Sequence, residues 1–243
     1  MLRLLSHRVL PGPEQMALDE ALLRHATVPT IRLYGWSEAT LSLGYFQEWS
    51  RIVPRLPVPV PVVRRITGGG AIWHDAEVTY AAVFPAAAPF PSRTRDAYPL
   101  LHGAIHTALA AQGARLRVQA APSGDRRYRE EPRCFASPAA DDLIAGAAAG
   151  KVLGSAGRQR GERILVHGSL KLASNPWDGP AVAGCGLAAR DAARALETGL
   201  IAALGGTAEP GQLTATETRA AQDILSERYG DLGWVRERRG PRP

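Results

Sequence analysis

The chain has 243 residues, 45% of them hydrophobic, which is enough for one sizeable core or two small ones without covalent staples. Two well-separated cysteines do not make a disulfide framework, and no segment approaches the roughly 20 apolar residues of a membrane span, so a cytoplasmic, non-membrane protein is expected. The net charge of +6 suits an acidic partner, but no Lys/Arg run with interleaved aromatics marks a nucleic-acid binder.

The first 15 residues hold no apolar run long enough for a signal peptide. Residues 14–25, with Met16, Leu18, Leu22 and Leu23 at helical spacing behind Pro13, predict an amphipathic helix. TIRLYGW (30–36) and TLSLGYF (40–46) read as strands, with Gly44 near the end of the second. Four prolines in 54–62 rule out a central strand and suggest an extended surface connection. RRITGGGAIWH (64–74) reads as strand, glycine turn, strand, and 78–84 as a further strand. A loop leads to a helix over 96–112 with Leu100, Ala104, Ala108 and Leu109 on one side, ended by Gly113. A short strand near 115–119 precedes a charged, proline-punctuated loop over 122–138. DDLIAG, KVLGSAGR and RILVHGSLKL read as three more strands, and 190–204 and 216–228 as helices. The whole is an α+β pattern, a mixed β-sheet packed with helices. Residues 1–233 form a single domain in this reading, and 234–243 a frayed tail.

Arg64 to Tyr80 contains three consecutive glycines, Gly68, Gly69 and Gly70. They match neither G-x-x-x-x-G-K-[ST] nor G-x-G-x-x-G, where Trp73 occupies the place of the third glycine. Both phosphate loops open a helix whose N-terminus faces the anion, whereas here strand follows. A bulge or tight hairpin would explain the run. So would a ligand channel floored by bare backbone, flanked by Arg65, Thr67 and His74. Of the 29 basic residues only Lys151 and Lys171 are lysines, a bias that base composition explains. A lysine that survives it marks a place where a compact cation able to lose its proton is needed. Cys134 follows Arg133 and lies near Arg126, Arg127 and Arg129, a setting that favours a nucleophilic thiolate. Cys185, among small apolar residues, reads as structural. His167 lies on an alternating strand and lines the cleft or is a satisfied core histidine. No two His, Cys, Asp or Glu fall at zinc-ligand spacing on one element, so no metal is expected.

The ordered motifs QMALDEALL (15–23), IRLYGWSEATLSLGYFQ (31–47), RRITGGGAIWHDAEVTYAAVF (64–84), CFASPAADDLIA (134–145) and KVLGSAGRQRGERILVHGSLKL (151–172) resemble the lipoate/biotin protein ligase and octanoyltransferase superfamily. Within it, YGW…TLSLGYFQ and the CF.SP loop look most like the cysteine-dependent octanoyltransferases. The resemblance implies a biotin/lipoate ligase-like catalytic domain that takes an octanoyl group from acyl carrier protein and passes it, through a cysteine thioester, to a lysine of a lipoyl-domain protein such as the glycine cleavage H protein. It makes Cys134 the nucleophile and Lys151 its companion, with Arg65, Thr67, Gly68, Gly69, Gly70, His74, His167 and Gly168 along the substrate channel. No cofactor is implied. Gly70, where those transferases carry arginine, and Ala147–Ala149, which lengthen the turn before Lys151, depart from the pattern. A third glycine is more like the lipoate–protein ligases, which make lipoyl-adenylate and would bring ATP and Mg²⁺. A non-catalytic acyl-binding or scaffold protein is the third reading.

Overall fold

The computed structural model describes residues 1–125, 127–146, 150–180, 182, 184–240 and 243; Arg126 and Ala147–Ala149, singled out above, lie outside them. The elements, in chain order, are β1 Leu2–Leu10, α1 Gly12–His25, β2 Thr30–Trp36, β3 Thr40–Leu43, α2 Trp49–Ile52, β4 Val62–Arg64, β5 Ile72–His74 and β6 Glu77–Pro85. There follow α3 Thr94–Ala111, β7 Leu116–Val118, β8 Leu143–Ala145, β9 Gly150–Arg160, β10 Arg163–Lys171, α4 Ala189–Ala203, β11 Ala208–Gly211, α5 Ala215–Ile224 and α6 Leu232–Glu237. Eight strands form a mixed sheet in the order β11-β1-β2-β6-β10-β9-β8-β7, and a three-stranded sheet has the order β4-β3-β5.

The large sheet is covered on both faces, which is why VTYAAVF is apolar without alternation. Val78, Tyr80, Ala82 and Phe84 of β6 join Leu101 and Ile105 of α3 and Leu196 and Leu200 of α4 on one face. Ala81 and Val83 join Met16, Leu22 and Leu23 of α1 and Ile224 of α5 on the other. α1 is buried beyond its apolar stripe, since Gln15, Asp19 and Glu20 are also buried. Each has partners: Gln15 donates to the Arg8 and Gly35 carbonyls, Asp19 pairs with Arg32 at 2.7 Å, and Glu20 accepts from Tyr229 at 2.9 Å. Pairing keeps the cost of these buried polar groups tolerable.

Several sequence expectations need correction. β1 was not anticipated; it lies between β11 and β2, parallel to both. β4 and β5 do not pair as a hairpin across the glycines; β3 sits between them, parallel to β4 and antiparallel to β5. The glycine segment is therefore a crossover over the end of β3. Leu109 is buried as expected and Ala108 packs against the core, but Leu100 is exposed, and the rest of the packed face is Ala97, Leu101, His102 and Ile105. The segment expected to fray, 234–243, begins inside α6: Trp234 and Val235 are buried, and Arg64 donates to the Val235 and Arg236 carbonyls.

Candidate active site

Arg65 organises the glycine segment. Its guanidinium is buried and donates to the Ser42 carbonyl and hydroxyl, both at 3.0 Å, and to the carbonyls of Gly68 and Gly70 at 2.8 and 2.7 Å. Two carbonyls turned toward one cation bend the segment at Gly69, whose φ of +94° favours glycine. A Cβ on Gly44 would strike the Gly69 carbonyl oxygen, which explains the glycine that ends β3. A Cβ on Gly70 would come within 2.8 Å of the Cys134 amide nitrogen and 2.5 Å of the Tyr128 ring. The third glycine, which leaned toward a ligase, is thus required by the cysteine loop packed on it.

That loop is pinned to the segment by backbone. The Ala71 amide donates to the Pro132 carbonyl at 2.7 Å, and the Cys134 amide donates to the Ala71 carbonyl at 2.9 Å. Cys134 is 7% exposed and packs with Ile72, Phe135 and Val182. Its Sγ lies 3.4 Å from Lys151 Nζ, which also donates to the Cys134 carbonyl at 3.4 Å and pairs with Asp142 at 2.8 Å. Burial opposes the Lys151 ammonium, but negative charge at Cys134 and Asp142 outweighs it and holds Lys151 well above the ordinary lysine value. The cation therefore persists 3.4 Å from the sulfur.

β9 reaches this geometry through a bulge: Leu143 and Ile144 oppose Leu153 and Lys151, leaving Val152 extra. Lys151 then lies across Gly154, where any Cβ would sit 2.5 Å from Nζ. The arginines of the loop do not do what the sequence suggested. Arg133 is engaged with Glu131 at 2.6 Å and with the Trp177 carbonyl, while Arg127 and Arg129 are exposed. Among the described residues, Lys151 and Arg65 are cations that interact with Cys134; burial lowers Arg65 from its ordinary value, and Cys134 and Tyr128 pull it back up.

These groups open on a narrow cavity whose free space, open mouth included, is about 550 Å³. Met16, Tyr34, Trp36, Ile72 and Ala156 give it apolar wall. Of the expected site residues, Cys134, Lys151, Arg65, Gly69, His74, His167 and Gly168 line it; Thr67, Gly68 and Gly70 stand behind that lining. Thr67 supports His167, with Oγ1 and Nε2 2.7 Å apart, and His167 Nδ1 is 2.9 Å from Asp19. His74 stacks on Trp36 at 3.8 Å, with Nδ1 2.6 Å from Glu77 and Nε2 2.7 Å from the Ser42 hydroxyl. Burial lowers its pKa to about 4, so it is neutral near pH 7. Glu77 is ionised: burial alone would raise it, but His74 and Lys171, the latter at 2.8 Å, hold it well below the usual carboxylate range.

Sequence reasoning missed Asp142, Tyr128, Ser42 and Gly154. Only Asp142 left a signal, as an acid nine residues ahead of a rare lysine. The other rare lysine, Lys171, is also buried, and both ammoniums face the ring of Phe135, at 5.4 Å for Lys151 and 5.0 Å for Lys171. Cys185 is buried in the core under α4, and burial raises its thiol above the ordinary value, in keeping with a structural role. Among the described residues no group of three His, Cys, Asp or Glu is placed to hold a metal ion.

Residues 11–182 match the model of the lipoyl protein ligase A/B catalytic domain. The chain is 34% identical over 272 residues to the octanoyltransferase LipM of Symbiobacterium thermophilum, covering 96% of this chain and 97% of that protein. It is 36% identical over 184 residues to the octanoyltransferase LipM of Moorella thermoacetica, covering 72% and 67%. A solved structure of a putative lipoate protein ligase from T. acidophilum with bound lipoic acid superposes with a TM-score of 0.77 at 20% identity, over 96% of this chain and 98% of that one. That likeness concerns the fold.

Proposed function

The chain belongs to the lipoyl protein ligase A/B catalytic domain family, and from that premise we propose that it is an octanoyltransferase of lipoate biosynthesis whose nucleophile is Cys134. The observation that carries this reading is the thiol of Cys134 set 3.4 Å from an ammonium that Asp142 holds in place, in the wall of a largely apolar cavity.

The reaction runs in two acyl transfers. The Cys134 thiolate attacks the carbonyl of the octanoyl thioester, the carrier's C–S bond breaks, and the carrier sulfur leaves and takes up a proton. The neutral amine of the acceptor lysine then attacks octanoyl–Cys134, the new C–S bond breaks, and the amine loses one proton. Overall, thioester and amine become amide and thiol, with the proton passing from nitrogen to sulfur. An amide is more stable than a thioester, so the sequence needs no ATP. Lys151 stabilises the thiolate before it attacks the donor and again when it departs in the second transfer. Arg65, Lys151 and backbone N–H groups of the glycine segment are the donors available to the oxyanion. Arg65, Thr67, Gly68, Gly69, Gly70, His74, His167 and Gly168 shape and support the acyl site.

The donor in this reading is octanoyl-acyl carrier protein, and the acceptor a lipoyl-domain protein, with the glycine cleavage H protein as the first to try. The chain from residue 1 through α6 acts as one catalytic domain in this reading. Among the described residues no helix is long and apolar enough to cross a membrane, and a cytoplasmic location is part of the proposal.

The test is an intact mass after incubation with octanoyl-acyl carrier protein in the absence of ATP. One octanoyl adduct, absent in Cys134→Ala and discharged by a lipoyl-domain protein, is expected. Lipoylation that requires ATP and Mg²⁺ and survives Cys134→Ala would sink the reading.

A further inference from the structure

Beyond Tyr128 the cavity adjoins a second, outer groove of about 1170 Å³, mouth included, with which it shares Gly69 and Tyr128. One bank of the groove carries Arg51 and Arg55, from α2 and the 3₁₀ turn that follows it; the other carries Arg127 and Arg129. Against four arginines stands one carboxylate, Glu48, whose 3.9 Å approach to Arg51 is a solvent-exposed pair of little strength. Arg55, Arg127 and Arg129 have no carboxylate within ion-pair distance among the described residues.

The loop that presents Arg127 and Arg129 is preformed. Asp125 accepts the amides of Arg127 at 2.9 Å, Glu130 at 2.7 Å and Glu131 at 3.2 Å. The two banks are tied together by Gln47, which accepts from the Gly44 amide at 3.0 Å and donates to the Pro132 carbonyl at 2.9 Å. Tyr128 stands between groove and thiol with φ +52°, a conformation non-glycine residues rarely adopt. Tyr128 lines the cavity together with Cys134, and negative charge at Cys134, then burial, push its phenol above the ordinary value.

Three uncompensated cations and a fourth that is only weakly paired, on a fixed track that ends at a nucleophilic thiol, favour an anion on the incoming chain. The two substrates differ in this respect. The acceptor enters through a lysine, whose charge the arginines repel. The donor enters through a 4′-phosphopantetheine arm, which carries a phosphodiester between carrier and thioester. Resting on the transferase reading, we propose that this groove is the entry track of the acyl donor and that Arg127 and Arg129, with Arg51 and Arg55 opposite, bind its phosphate. Tyr128 closes the inner end over the reacting thioester.

The experiment compares three donors, octanoyl-acyl carrier protein, octanoyl-4′-phosphopantetheine and octanoyl-pantetheine, by the rate of octanoyl–Cys134 formation. It uses the wild type, Arg127→Ala/Arg129→Ala and Arg51→Ala/Arg55→Ala, each checked for an unchanged thermal midpoint. Loss of charge-assisted contacts should raise KM for the two phosphate-bearing donors about tenfold or more, and leave octanoyl-pantetheine and the acceptor near wild type. Equal KM values for all three donors overturn the assignment. An effect confined to the carrier protein overturns the phosphate site in favour of protein-face docking. A raised KM for the acceptor alone gives the groove to the other substrate and overturns it too. A wild type that forms no adduct from any donor overturns the transferase reading itself, an outcome distinct from all of these.

Discussion

Gly154 is a glycine because Lys151 lies across it. A methyl there would meet the ammonium nitrogen at 2.5 Å, and displacing that nitrogen moves it from both Cys134 and Asp142. Misplacement of a catalytic group by about 1 Å costs roughly a hundredfold. Gly154→Ala should therefore slow acylation of Cys134 by about ten- to a hundredfold, read by the rate of octanoyl adduct formation; a rate within twofold of wild type would remove Lys151 from the chemistry. At this scale the sequence was legible where residues are scarce. Cys134 and Lys151 stood out because the chain has two cysteines and two lysines. Asp142 and Ser42 are common residue types whose meaning comes only from a partner brought near by the fold. The loop arginines misled for the same reason: adjacency in sequence placed them beside the thiol, whereas Glu131 and the outer groove claim them.

Among the elements, α3 and α4 approach closely enough that a Cβ on Gly199 would sit 2.6 Å from the Ile105 Cα. Alanine in place of a helical glycine gains about 0.5–1 kcal/mol from backbone entropy, but overpacking against a helix backbone costs typically 1–3 kcal/mol. The second effect wins, so Gly199→Ala should lower stability by about 1–2 kcal/mol in urea unfolding, leaving the acylation rate of Cys134 unchanged; a stabilised variant would mean that the helices separate freely. Strand β2 and the long strands β6 and β10 were readable from dense apolar pattern. β1 was not, because LRLLSHRVL breaks its alternation at a register shift between Leu5 and Arg8. On α3, Leu109 was placed correctly and Leu100 was not, since Leu100 and Leu101 are equally apolar and only packing chooses between them. The pairing of β4 and β5 with β3 is long-range information, and a glycine run between two strands suggests a hairpin by default.

For the whole molecule, two buried neutral histidines set a limit on the acid side. Burial lowers His74 to about 4 and moves His102 in the same direction; His102 lies between the Asp141 carbonyl and the Ser155 hydroxyl, each at 2.7 Å. A histidine whose folded pKa lies below its unfolded value near 6.5 binds more protons when the chain is unfolded. Stability is then whole above pH 6.5 and falls as pH drops toward 4, on the order of 3 kcal/mol from His74 alone. Glu77, held low by the Lys171 ammonium and the hydrogen bond from His74, adds its own loss only below the ordinary carboxylate range. Urea midpoints measured between pH 7.5 and 4.5 should fall steeply from about pH 6.5 in the wild type and less steeply in His74→Gln; equal slopes would show that His74 does not titrate in that window.

Lys171 is fully buried and Lys151 2% exposed, each held in an ion pair, so the surface of this protein offers no lysine amine at all. An enzyme that carries an activated acyl group toward a lysine faces a selectivity problem of its own making, because any amine of its own within reach competes with the acceptor. Here arginine, which cannot be acylated under these conditions, supplies the surface charge, and the two lysines are sequestered as cations. In the proposed reaction the octanoyl thioester would wait in a molecule whose two lysines are both buried and held as cations.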